Sequence, residues 1–100
     1  MKRDKEVTKV IFKKAYDHYI KEWYVVAFLP GATASPGNVM YYEHCGQHGE
    51  CVYDFYLSCK RASPEEYAPL KKEMENCFGY NFKVVRKITR KDCEVAWRRV

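Results

Sequence analysis

The apolar residues of the chain fall into short blocks, and the densest runs from Trp23 to Leu29, where Pro30 stops it. A block with so little polar interruption predicts a strand covered on both faces. Ahead of it, Val7, Thr8, Val10, Ile11 and Phe12 mix with lysines over 7–13, which suits a partly exposed strand. Val39 to Cys45 reads as a third strand. Ala15 to Glu22 has no decisive period and reads either as a short helical turn or as a long hairpin connection.

Punctuation divides the rest. Pro30 to Asn38 holds two Pro-Gly pairs among small residues, a mobile loop that connects strands more often than it lids a site. Gly46-Gln47-His48-Gly49 reads as the turn that ends the third strand. Over 51–59 two periods compete. Cys51, Tyr53, Phe55, Leu57 and Cys59 alternate as in a strand, while Val52, Phe55, Tyr56 and Cys59 follow helical spacing. We take a short helix, with Lys60-Arg61-Ala62 as the break before the next.

Ser63-Pro64-Glu65-Glu66 predicts a helix start. Ser63 can accept from the Glu66 amide, Glu66 can reach back to the Ser63 amide, and Pro64 sits where a missing N–H costs nothing. Tyr67, Leu70, Met74, Cys77 and Phe78 form its apolar stripe, Gly79 its C-terminal cap, and Pro69 predicts a kink or a tightened first turn. Asn81 to Ile88 reads as a strand, and Thr89 to Val100 as a last helix with Cys93, Ala96, Trp97 and Val100 on one face. The sum is an α+β fold: a small, mainly antiparallel sheet of about four strands with helices packed on one face.

One hundred residues, 47% of them apolar, predict a single domain over 1–100 with enough hydrophobic material to fold. No apolar run approaches the roughly 20 residues of a membrane span, and no apolar stretch follows the charged residues 1–6 as in a secretory signal. A cytoplasmic setting follows as the expectation. Its five cysteines are then reduced thiols, with Cys59, Cys77 and Cys93 in the core. The net charge of +5 is uneven: residues 1–78 balance, while 79–100 carry seven basic groups against Asp92 and Glu94. Such a field attracts a polyanion or an acidic protein surface, or simply keeps a polar face wet.

The densest cluster of reactive side chains is His44 to Cys51. Cys45, His48 and Cys51 have C-x2-H-x2-C spacing, with His44 as a possible fourth zinc ligand, but a second two-ligand knuckle is missing. The same residues offer a thiol enzyme, Cys45 or Cys51 with His48 or His44, although adjacency in sequence does not supply the geometry. Phosphate-loop, dinucleotide, zinc-protease and serine-hydrolase motifs are absent, and the Glu65-Glu66 pair is explained by capping. Nucleic-acid binding has its own residues: Arg90, Lys91, Arg98 and Arg99 around Trp97, with Lys83, Arg86, Lys87, Tyr80 and Phe82 before them.

Val10-Ile11-Phe12-Lys13-Lys14, Val26 to Pro30, Gly46 to Gly49, Ala62 to Leu70 and Gly79 to Val85 together resemble small uncharacterised proteins of bacterial conjugative elements and phages. The resemblance spans residues 9–88. It implies a cytoplasmic accessory role toward host machinery, brings no activity or cofactor, and makes Gly46 to Gly49 a candidate contact loop. We therefore expect a non-enzymatic protein without cofactor or membrane partner that binds another macromolecule, a protein first, through an aromatic and basic surface. The contact residues expected are Gln47, His48, Arg86, Arg90, Lys91, Arg98 and Arg99. The alternatives are a small basic nucleic-acid binder and, behind it, the zinc or thiol site at 44–51.

Overall fold

Ten consecutive residues, Thr8–Asp17, form the longest strand of the sheet, β1. They carry the β-branched and aromatic residues that fit a pleated surface. β2 (Glu22–Leu29), β3 (Asn38–Glu43) and β4 (Gln47–Val52) follow, then α1 (Tyr53–Ser58), β5 (Lys60–Arg61), α2 (Pro64–Phe78) and β6 (Phe82–Val84). This computed structural model describes residues 7–32, 35–43 and 47–86. The expected last helix with Cys93 and Trp97, and the candidate residues His44, Cys45, Arg90, Lys91, Arg98 and Arg99, lie outside the described residues.

The strand order is β4-β3-β2-β1-β5, with β6 also on β1. All pairings are antiparallel except that of β6, which runs parallel to Thr8–Val10. Six strands replace the four expected. β6 falls within the strand expected over 81–88, and the two additions are the short edge piece β5 and β4, which takes up Gln47, His48 and Gly49. The Gly46–Gly49 turn is thereby corrected: β3 and β4 are already paired at Glu43 and Gln47. Gly49 serves the strand, because a Cβ there would lie 2.9 Å from the Tyr41 hydroxyl. The expected break between the helices at 60–62 is present, and within it Lys60 and Arg61 pair with Lys14 and Lys13 as β5.

Strand alternation assigns the two layers. Val10, Phe12, Ala27, Leu29 and Tyr42 point to one face and pack with Ala62, Leu70 and Met74. Ile11, Val26, Phe28 and Val39 point to the other and pack with Tyr56 and Cys59. The helices therefore cover opposite faces, α2 the first and α1 the second, where the sequence reading had them on one. The apolar run of β2 is covered on both faces from Val26 to Leu29, as such a run requires, whereas Trp23 at its start is exposed, which corrects the expectation for that end.

The start of α2 follows the sequence reading. Ser63 Oγ accepts from the Glu66 amide at 3.2 Å, and the Ser63 amide donates to Glu66 Oε1 at 2.8 Å. Gly79 closes the helix at φ 73°, its N–H on the Glu75 carbonyl. The helix runs through Pro69 without a break in assignment. Of its stripe, Leu70 and Met74 are buried and Tyr67 half-buried; Cys77 is exposed, which corrects its placement in the core, while Cys59 is buried as expected.

The connection expected to be mobile is partly pinned. Ser35 to Asn38 is a hydrogen-bonded turn with Gly37 at φ 90°, and Glu50 Oε1 accepts from the Ser35 amide at 3.1 Å and from Asn38 Nδ2 at 3.0 Å. These bonds, that from Asn38 first, hold the Glu50 carboxyl below its usual range. No helix of the described residues is long and apolar enough to cross a membrane.

Candidate functional site

Where β3 ends, the β1–β2 hairpin continues alone. Beyond the pairs Val26 with Glu43 and Lys14 with Lys60, the described strands β1 and β2 pair only with each other, through Ala15 with Tyr24, Tyr16 with Trp23 and Asp17 with Glu22. His18 to Lys21 cross the end. Asp17 Oδ1 accepts from the Tyr19 amide at 2.9 Å and from the Ile20 amide at 3.4 Å, and Lys21 adopts a positive φ of 57°. The segment left open in the sequence is thus a hairpin with a four-residue connection.

This arm carries large apolar side chains that the core does not use. Tyr19 is 98% exposed, Ile20 61% and Trp23 48%. Tyr16 and Trp23 face each other across the strands with centroids 5.3 Å apart, His18 stands 5.0 Å from Tyr16, and Lys14 Nζ lies 5.4 Å from the Trp23 ring. A small protein seldom concentrates such residues at a tip unless something covers them. Its charges cancel: Lys14 and Lys21 against Asp17 and Glu22.

Behind the tip, a cleft of about 530 Å³ opens between the arm, the end of β3 and α2. Ile20, Val25, Pro69 and Leu70 give it apolar walls, and Asp17, Glu43, Glu66 and Glu73 add carboxylates. Glu66 is engaged by Lys14 Nζ at 2.7 Å, and Glu73 accepts from the Tyr42 hydroxyl at 2.5 Å. Lys14 and the cap at Ser63 hold the Glu66 carboxyl below its usual range. Burial, with Asp17 adding repulsion, pushes the half-buried Glu43 carboxyl up. Tyr24 rises as well, first through burial and then through Glu43.

The residues singled out in the sequence are dispersed. His48 lies in β4 on the α2 face, Nε2 2.9 Å from the Tyr80 hydroxyl, with its ring 4.9 Å from Tyr42 and 5.2 Å from Phe78. Gln47 pairs with Glu43, and Arg86 is exposed after β6. Cys51 is three residues from His48 along a strand, so the two side chains leave opposite faces. They cannot share an ion or exchange a proton, which corrects the zinc and thiol readings so far as they use this pair. Cys51 Sγ instead points to the Val39 carbonyl at 3.7 Å. Among the described residues no group of three or more His, Cys, Asp or Glu side chains is arranged to hold a metal.

On the second face, Lys13 Nζ donates to the Tyr56 carbonyl at 3.1 Å and lies 4.0 Å from the Tyr56 ring centroid. It supplies the end of α1, which has no basic residue of its own, with a cation. Burial lowers the Lys13 ammonium and raises the Cys59 thiol. A raised thiol is a poor nucleophile at neutral pH, so this contact reads as support for α1.

Sequence reasoning missed Tyr16, His18, Tyr19, Ile20 and Trp23. The available signal was an aromatic cluster across a segment with no apolar face to join. Comparison with protein-family models, with curated proteins and with solved structures gives no match.

Proposed function

We propose that the protein is a non-enzymatic binding module that docks another protein through the tip of the β1–β2 arm. The observation that carries the reading is the exposure of Tyr19, Ile20 and Trp23 together at the end of a hairpin. Tyrosine and tryptophan provide large contact area with few rotatable bonds, and they dominate the energetics of protein interfaces. The hairpin frame limits the entropy lost on docking. An accessory role in a bacterial cytoplasm belongs to the same proposal and rests on the sequence resemblance.

Nucleic-acid binding is the weaker reading at this surface. The arm's formal charges cancel and the cleft behind it is acidic, so a polyanion would release few counterions there. The basic candidates Lys83 and Arg86 belong to the β6 segment instead.

The test is affinity capture from a lysate of the source cells, with nuclease, on wild type and on Tyr19→Ser with Trp23→Ser. The expected result is a protein held in high salt by wild type and lost by the variant. Capture that ignores the variant, or recovery that nuclease abolishes, overturns the proposal.

A further inference from the structure

Tyr24 and Val25 are neighbours on one strand, so their side chains leave opposite faces of the sheet. A cleft lined by both must reach around the strand's edge. That edge is open: Glu22 to Val25 pair with β1 on one side and with no described strand on the other, because β3 stops at Glu43 opposite Val26. In an antiparallel ladder every second residue of such a stretch directs both its N–H and its C=O outward. The backbone is set to receive one more strand, and the walls to receive that strand's side chains.

The walls differ in chemistry. Toward α2, the cleft presents Val25, Pro69 and Leu70, together with Glu66 and Glu73, whose carboxylates are already held by Lys14 and by the Tyr42 hydroxyl. Toward the other side it presents Tyr24, Asp17 and Glu43. Among the described residues no hydrogen bond or ion pair engages the Glu43 carboxylate, and the nearby Asp17 charge repels it. A strand laid along the edge would alternate apolar and cationic residues: apolar toward α2, Lys or Arg toward Asp17 and Glu43. A second copy of β2 fits badly, because it would bring Glu22 and Glu43 against their own kind.

We propose that the open edge of β2 binds an extended segment of a partner protein, with alternating apolar and basic residues, by strand addition. This rests on the reading of the arm as a protein-docking element and names the chemistry of what it docks. The partner then grips the arm twice, its backbone along the edge and its surface over the tip.

The test is fluorescence anisotropy on the full chain with a labelled hexapeptide of alternating valine and lysine. The expected result is saturable binding that weakens about tenfold or more in three cases. These are methylation of alternate peptide amides, replacement of the lysines by glutamates, and the variant Asp17→Asn with Glu43→Gln. Leu57→Ser, at an exposed position on α1 away from the cleft, should bind the peptide as wild type does. Amide exchange on wild type gives a readout independent of any variant's folding: every second amide from Glu22 to Val25, those facing the open edge, should slow when peptide is added. Equal binding of the methylated peptide, unchanged exchange over these residues, or dimerisation through β2 in place of peptide binding overturns the edge proposal. If peptide fails while capture still depends on Tyr19 and Trp23, the edge is wrong and the tip reading stands. If peptide binds and capture ignores the tip, the converse holds.

Discussion

Tyr16, Tyr19 and Trp23 on the arm, and Phe12 and Tyr42 beneath α2, are the same kinds of side chain under opposite constraints. The second group belongs to a seam. Tyr42, His48, Phe78, Tyr80, Phe82, Phe12 and Tyr67 touch in succession, ending in a stack of Phe12 on Tyr67 at 4.4 Å. There α2 lies over the sheet, and removing Phe12 or Tyr42 would leave a gap in a closed layer, while Phe78 at the rim of the seam is 47% exposed. On the arm only two strands are present, so rings at the same spacing have no layer to enter. An aromatic residue here is structural or available according to whether a helix covers its strand, and its immediate sequence does not decide which.

The sharpest way to break this contrast is to remove a ring from each group. Phe12→Ala, which empties a fully enclosed site between Tyr67 and Phe82, is expected to cost about 3–5 kcal/mol in denaturant unfolding. A loss near 1 kcal/mol would mean the seam is loosely packed. Tyr42→Phe keeps the ring and removes only the hydroxyl that donates to Glu73; the expected loss is about 1.5–3 kcal/mol, since the acceptor is charged. Tyr19→Ser, by contrast, is expected to leave unfolding within about 0.5 kcal/mol of wild type while weakening partner capture. A large stability loss there would place Tyr19 in the fold after all.

The smallest effect sharpens the cleft's side of the comparison. The Glu43 carboxyl titrates higher in the folded chain than in the unfolded one. Its contribution is therefore favourable in acid, below the usual carboxylate range, and is lost as pH rises through the raised value. Glu43→Gln mimics the protonated form, so it should raise the melting temperature slightly at neutral pH and make no difference in acid. A gain of the same size at both pH values would assign the effect to packing. Solvent exposure keeps the change small.

Much of the scaffold was legible because local chemistry and tertiary need agreed. Ser63, Pro64, Glu66 and Gly79 mark α2 through bonds made within one turn of the helix, and Val26 to Leu29 marks the half of β2 buried on both faces, while Trp23 in the same apolar run is exposed. What failed was set by residues distant in sequence. The glycine at 49 looked like turn chemistry, but it lies in a strand, where the Tyr41 ring of the neighbouring strand comes close enough that a Cβ would meet its hydroxyl. The two helices looked equivalent, yet the parity of buried positions in β1, β2 and β3 sends them to opposite faces. The hairpin over 17–22 was illegible for a local reason: Lys21 occupies the positive-φ position where glycine or asparagine would have announced the turn. The candidate surface then escaped notice with it, because attention went to His48 and Cys51, which a strand separates.

The most direct test places a photoreactive amino acid at position 19 and, in a second protein, at Leu57, which is 58% exposed on α1. Irradiation in a lysate of the source cells should yield a discrete, nuclease-resistant protein adduct from position 19 and none from position 57. Adducts of equal yield from both, or from position 57 alone, would contradict the assignment of binding to the arm.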